Sequence, residues 1–499
     1  MSKKTTLVCF IALALLTILL RLPTLTLVLD TDSSVNAFFA RQLMRGETLY
    51  DKFHTAHHLP AAYYTFVLAF QLFGDNPAAP KLLLIPVTLA AAWLIFFVGR
   101  SYFNDLTGIL GAFLFVLGTS QFYLAGTTAE MEHFANLFMI ASVFLFLALL
   151  KQKSAPAQFI WVGVLGAVSI LYKILFIAPL TAIGVGLFYS AWMERAQVGN
   201  IKKLLLRLTA IGAGVIIPLA GVVLYYAHLG LLQRFLLVFT LGFKYANDPS
   251  LIILFPKPFG FPLFMLAMNN IVLLVISLIG TYRLSRRVIQ QHGSENPNDL
   301  ILVSWLIFSL ILAGFRGGGY QHYVLIVIPP LALTAAYEIA YSYQSWQKTS
   351  SQKLARFGAG ILTALIVLFF LGRNFELYRY YFPSLPNQEN TPQHRQAGQI
   401  EVFDYIRAHT TYEDFIYVWS IDLQAYYYAD RLPPIDILWP SYVSATGPPK
   451  RIFNPRTKYI VMSDAATFAR PAWLLKGIEE NYFLETTLNG MELYRRVDP

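Results

Sequence analysis

Long apolar runs recur along most of this chain, each near the roughly 20 residues that a helix needs to cross a bilayer. They lie near 5–29, 78–99, 107–125, 133–150, 158–172, 174–192, 204–227, 262–282, 300–314, 323–343 and 357–372. Hydrocarbon offers no partner to a peptide N–H or C=O, so runs of this kind fold as helices. Composition agrees. Of 499 residues, 56% are hydrophobic and 13% charged, and the mean hydropathy is +0.52. A soluble domain carries about a quarter of its residues as charges. The chain therefore reads as a mainly α, polytopic membrane protein with about eleven transmembrane helices.

The formal net charge of +10 does not require nucleic acid, because membrane proteins gather Lys and Arg in their cytoplasmic loops. With the N-terminus cytoplasmic, the inside loops hold Lys3, Lys4, Arg100, Lys151, Lys153, Arg195, Lys202, Lys203 and Arg207. They also hold Arg283, Arg286, Arg287, Lys348, Lys353 and Arg356, while the longer outside loops hold fewer basic residues. An odd number of spans then puts the C-terminus outside. The first run follows Lys3 and Lys4 without a small-residue cleavage site, so it is expected to stay as an anchor. Cys9 is the one cysteine and lies in that run, which leaves no disulfide and no thiolate nucleophile in a wet site.

Two outside regions exceed mere connectors. Residues 30–77 form a long first loop whose apolar piece, AAYYTFVLAFQLFG at 61–74, is too short to span and reads as an interfacial helix. Past residue 373 the polar, Pro-rich FPSLPNQENTPQHRQAG reads as a linker. It leads into the helix-like IEVFDYIRAH, the strand-like DFIYVWS and KYIVMSD, a helical stretch near 466–480 and a closing ELYRRV strand. The expected organisation is a transmembrane domain over 1–373 and a small extramembrane α/β domain over 374–499.

Ionisable groups beside a bilayer are costly, so those on one side are the candidates for chemistry. Asp30 and Asp32 follow the first span. They read either as a solvated helix end or as a general base for an acceptor hydroxyl. Glu130 and Glu132 occupy a very short loop, near the membrane surface. With a carboxylate after the first span they are a candidate pair for acid–base work or for a divalent cation, and Glu132 also suits a helix N-terminus. His54, His57 and His58 are loosely spaced with no fixed carboxylate partner, which favours phosphate contact or packing over zinc. Arg316-Gly-Gly-Gly-Tyr-Gln-His322-Tyr323 combines a bidentate cation with glycines that let backbone approach a ligand. It lacks the lysine and hydroxyl of a nucleotide-binding P-loop.

In their order, these pieces resemble the protein O-mannosyltransferase and lipid A aminoarabinose transferase group of the GT-C superfamily. The first outer loop carries the likeness in Asp32-Ser-Ser, Ala40, Leu43-Met-Arg-Gly46, Tyr50-Asp51, His57-His58-Leu-Pro60 and Gln71-Leu-Phe-Gly74. Glu132-His-Phe, Leu-Tyr-Lys173, His322-Tyr323, IYVWS and YYYADRLPP extend it through the chain.

The resemblance implies a GT-C membrane fold and an inverting transfer of sugar from a polyprenyl-phosphate donor to a hydroxyl acceptor. It implies Asp32 as the base, with Asp30 its substitute should the register move by two, and Glu132 in support. Glu130, Tyr50, His57, His58, Lys173, Arg316, His322 and Tyr323 would line the substrate. No cofactor is demanded, and Asp32 with Glu132 would hold a divalent cation if one is used. The implied partners are the lipid-linked donor, the bilayer and an unassigned acceptor, with no nucleic acid. The implied location is a bacterial inner membrane, with the C-terminal domain outside. Ser33 stands where that pattern has Glu, and histidines stand near its usual lysine. A transporter or flippase of lipid-linked sugars is the alternative, but it calls for inverted repeats and midplane charges that the chain does not present.

The charge bias makes the topology testable. Cysteines introduced as Lys52→Cys and Pro440→Cys should both react with an impermeant thiol reagent in intact cells. Labelling at only one of the two contradicts the eleven-span arrangement.

Overall fold

A computed structural model describes residues 2–53, 58–193, 198–246, 260–290, 297–315, 320–349, 352–382, 384, 392–440, 443, 449–463 and 469–497. His54, His57 and Arg316 fall outside these described residues. In chain order the helices are α1 (Lys3–Arg21), α2 (Thr31–Met44), α3 (Pro60–Phe73), α4 (Ala79–Tyr102) and α5 (Asp105–Thr119). Then come α6 (Met131–Lys151), α7 (Ile160–Ile170), α8 (Ala178–Met193), α9 (Val198–His228) and α10 (Leu232–Ala246). They are followed by α11 (Gly260–Gln290), α12 (Pro297–Phe315), α13 (Ile328–Thr349), α14 (Gln352–Arg379), α15 (Pro392–Ala408), α16 (Gln424–Tyr428) and α17 (Ala472–Asn481).

Every apolar run read from the sequence coincides with one of these helices. Six are long and apolar enough to cross a membrane: Lys4–Thr26, Ala79–Tyr102, Met131–Lys151, Ile174–Trp192, Ile201–His228 and Gly260–Gln290. Asp105–Thr119, Pro156–Ile170 and Asn298–Gly314 are apolar but shorter. At about 1.5 Å per residue, fifteen residues reach some 22 Å, less than the hydrocarbon thickness of about 30 Å. The chain is an integral membrane protein.

The chain divides into two compact units. The first comprises Met1–Leu22, Leu83–Leu224 and Pro249–Phe375. Here α5 packs on α13, α8 on α12, and α11 on both α12 and α13. Backbones approach closely where α7 meets α9: a Cβ on Gly163 would lie 2.0 Å from the Ile211 carbonyl oxygen, and one on Gly214 equally close to that of Ile160. Any side chain larger than hydrogen at either position pushes these helices apart. Polar side chains pair across helices inside the unit, as Ser277 Oγ with Thr334 Oγ1 at 2.6 Å and Arg283 with Glu338 at 2.8 Å.

The second unit comprises Pro23–Leu82, Tyr225–Asp248 and Glu376–Pro499. It joins the long first loop to the C-terminal domain, whereas residues 30–77 read by sequence position as part of the transmembrane domain. The reason is a charge network on α2. Arg41 holds Asp75 at 2.6 Å, donates to the Tyr427 carbonyl at 2.7 Å and lies 3.3 Å from Asp430. Arg45 takes the other oxygen of Asp430 at 2.7 Å. The Arg41 guanidinium also stacks 4.1 Å above the Tyr427 ring. The apolar piece expected at 61–74 is helical, as α3: it buries Ala62, Tyr63, Phe66, Ala69 and Phe70 and leaves Tyr64, Leu68, Leu72 and Phe73 exposed.

A four-stranded sheet closes the chain, with β1 (Phe415–Trp419), β2 (Thr457–Met462), β3 (Tyr482–Leu488) and β4 (Met491–Arg496) in the order β1-β2-β4-β3. β1 and β2 run parallel, and β4 pairs antiparallel with both β2 and β3. Tyr417, Trp419, Ile460, Met462, Leu474 and Ile478 pack in its core. Strands β1, β2 and β4 match the expected ones, whereas β3 and the helix α10 have no counterpart in the sequence-based expectations.

Burial alone would raise the Asp430 carboxyl, but the hydrogen bonds and charges of Arg45 and Arg41 outweigh it and hold it below the ordinary Asp value. The stability this supplies is fully present above the unfolded Asp value of about 3.9 and is lost as pH falls through the lower folded value. Arg41→Ala should cost about 1–3 kcal/mol at pH 7, and Arg45→Ala less, because Arg45 is the more exposed. Thermal unfolding of the purified chain checks this, and the reverse order of the two contradicts it.

Candidate active site

The turn between α1 and α2 carries both aspartates. Asp30 is extended and caps α2, its Oδ1 accepting from the Ser33 N–H at 3.2 Å. Such a cap satisfies one of the orphan donors of a helix start. Asp32 sits in the first turn of the same helix, where the positive end of the helix dipole favours an ionised carboxylate. The two acids therefore differ in employment: the helix-end reading belongs to Asp30.

Four further contacts pin this turn. The Leu29 N–H donates to the Tyr428 hydroxyl and the Val28 N–H to Gln396 Oε1, each at 2.9 Å. Thr31 Oγ1 donates to the Ile421 carbonyl at 3.0 Å, and Ser34 Oγ to that of Leu29 at 3.1 Å. One helical turn beyond Asp32, Asn36 Oδ1 lies 3.0 Å from His58 Nδ1, and both residues are buried. Tyr50 donates its hydroxyl to the His58 carbonyl at 2.8 Å. Tyr50 holds a left-handed φ of 68°, a strained backbone for a bulky residue. Burial, helped by neighbouring tyrosines, pushes its phenol well up, so it stays a donor.

In the first unit, five predicted residues from three loops gather at the start of α6. Glu130 is the N-cap residue of α6 and Glu132 lies in its first turn, both buried. Lys173, at the turn before α8, bonds Glu132 at 2.5 Å and lies 3.9 Å over the Tyr323 ring. His322 Nδ1 is 3.7 Å from Glu130 and its Nε2 is 3.8 Å from Glu132. Its ring meets Tyr323 edge-on at 4.8 Å. Glu132 Oε2 is buried with no hydrogen-bond partner among the described residues.

Some organising residues escaped the sequence. Arg21, the last residue of α1, is buried and donates to the carbonyls of Thr119, at 3.1 Å, and Gly126. His133 reaches the Ala125 carbonyl at 3.1 Å, and Asn136 donates to the Leu325 carbonyl at 3.1 Å. Together they shape the loop that presents Glu130. A basic residue closing an apolar run was the available signal for Arg21, whereas nothing local marks His133 or Asn136. His57 and Arg316 lie outside the described residues.

The fold itself is a known one. ArnT from Cupriavidus metallidurans, solved with undecaprenyl phosphate, superposes with a TM-score of 0.62 at 15% identity, covering 99% of each chain. The oligosaccharyltransferase AglB from Archaeoglobus fulgidus, solved with an inhibitory peptide and dolichol phosphate, gives 0.60 at 13%, covering 99% of this chain and 74% of its own. The chain shares its overall fold with these two proteins. The arabinofuranosyltransferase AftD from Mycobacteria gives a TM-score of 0.54 at 12% identity, covering 99% of this chain and 42% of its own. The family model for dolichyl-phosphate-mannose-protein mannosyltransferase matches residues 57–226. Among curated proteins, no sequence matches the chain. The resemblance drawn from the sequence thus agrees with the fold.

The pair Lys173–Glu132 has side chains 9% and 1% exposed. Removing one partner of such a pair strands the other charge. Lys173→Met should therefore destabilise the chain by about 3–5 kcal/mol, and adding Glu132→Gln should recover part of that loss. Additive losses in thermal unfolding contradict the pairing.

Proposed function

We propose that the chain transfers a sugar from a polyprenyl-phosphate donor to a hydroxyl acceptor on the outer face of the membrane, with inversion at the sugar carbon. The observation that carries this reading is Asp32, a carboxylate held at a helix start while its neighbour Asp30 caps that helix, in a chain with the fold of ArnT. In the proposed step the acceptor oxygen attacks C1 and its proton passes to Asp32. The C1–O bond to phosphate breaks, and polyprenyl phosphate departs with the bonding pair. Charge develops on the leaving phosphate, where cationic donors lower the barrier. His58 and Arg316 are assigned to that phosphate. Glu132, Lys173, His322 and Tyr323, with Glu130 behind them, are assigned to orienting the substrate. Tyr50 acts through His58, whose carbonyl it holds.

Asp32 and Glu132 are the carboxylates to which a divalent cation would be assigned. Glu132 already has its charge matched by Lys173 at 2.5 Å. We therefore route no step through a metal. The lipid tail of the donor would lie among the apolar helices, and no nucleotide signature competes with this reading.

Purified chain in detergent, given polyprenyl-phosphate sugars and nucleotide sugars side by side, should use only the former. Asp32→Asn keeps the size, loses the base and should lower turnover by about 10²–10⁴. Asp30→Asn should stay near wild type, since Asn caps a helix about as well as Asp. Direct use of a nucleotide sugar, or full activity in Asp32→Asn, sinks the assignment.

A further inference from the structure

Lys81 belongs to no feature of the sequence that pointed to function, yet it is one of the largest fully buried side chains in the chain, 2% exposed. It stands in the first turn of α4. That is a poor place for a cation twice over: the N-terminal end of a helix is already positive, and an ammonium taken from water loses several kcal/mol of hydration. A methionine or leucine at this position would fold with less penalty, so the charge serves something other than packing.

Its contacts say what. The ammonium donates to the Thr24 carbonyl at 2.9 Å and to that of Leu27. These carbonyls end the short 3-10 helix Leu22–Thr26 that continues from α1. The Thr24 oxygen, which also accepts from the Leu27 N–H at 3.1 Å, and the Leu27 oxygen accept well from a cation. Between Leu27 and Asp32 the chain has only four residues, with their N–H groups or side chains already committed to Gln396, Tyr428 and Ile421. Lys81 thus anchors the incoming end of the same turn whose outgoing end starts α2.

We propose that Lys81 is a positioning residue for the Asp30–Asp32 turn: its ammonium, bonded to the Thr24 and Leu27 carbonyls, sets where the Asp32 carboxylate stands. The inference deepens the transferase reading and rests on it for its kinetic arm only. A misplacement of about 1 Å at a reacting group costs on the order of 10²-fold in rate without needing any change in donor binding.

The test uses the full chain in nanodiscs, as wild type, Lys81→Met and Lys81→Arg, with a polyprenyl-phosphate sugar as donor. Lys81→Met should lower kcat by about 10–100-fold while the donor KM moves less than about threefold. Lys81→Arg, which keeps charge and donors, should recover most of the loss. Hydrogen exchange supplies an arm that needs no turnover. Amides of residues 23–34 should exchange at least about tenfold faster in Lys81→Met, with those of residues 131–151 unchanged. Should Lys81→Met fail to accumulate, Lys81→Gln replaces it in both arms. Unchanged exchange over 23–34, a uniform rise across both segments, or unchanged kcat overturns the proposal. If wild type transfers sugar from no polyprenyl-phosphate donor, the transferase reading falls, and exchange alone decides whether Lys81 orders the turn.

Discussion

Hydrocarbon cannot hydrogen-bond a peptide group, and each unit of this structure follows from that constraint. It turns the apolar runs into helices, and it acts on side chains as well as on backbone. Ser277 finds Thr334, Asn136 finds the Leu325 carbonyl, and Arg283 finds Glu338. Where a helix stops, its last carbonyls need donors. Arg21 is bonded to Thr119 and Gly126 at one such place, and Lys81 to Thr24 and Leu27 at another.

Charge in such an environment is tolerated only when it is matched, so the matched charges mark what the fold is organised around. Glu132 and Lys173 are joined in the first unit beside His322 and Tyr323. In the second unit Asp30 is spent on capping α2, which leaves Asp32 as the first-turn carboxylate. The division of labour between two acids two residues apart comes from helix geometry: the cap position bonds the third N–H, and the second helical position does not.

The C-terminal domain takes part in this through the first loop. Tyr428, Gln396 and Ile421 hold the turn that carries the aspartates. Asp430 and the Tyr427 carbonyl hold α2 through Arg41 and Arg45. A domain outside the apolar helices therefore acts as a clamp on the segment that bears the proposed base. The Tyr-Tyr-Tyr-Ala-Asp run in α16 and after it reads as surface tyrosines in sequence, yet Tyr426 and Tyr427 are buried because α2 packs upon them.

The sequence by itself determined the apolar helices, the short helix α3, three of the four strands and the candidate acids, because hydrophobic period and run length are local properties. β3 was legible too. Asn489 and Gly490, with φ of 49° and 76°, make the two-residue turn that joins it to β4, and Asn-Gly between strand-like runs is the signal for such a hairpin. Only the tertiary structure decided which aspartate caps α2, that Glu132 faces Lys173, that Asn36 meets His58 and that Lys81 closes on Thr24, 57 residues away. Apart from the cap, which is local, those pairings join residues from separate segments. A buried polar group takes whichever partner the packing brings within reach, and no local pattern encodes that choice.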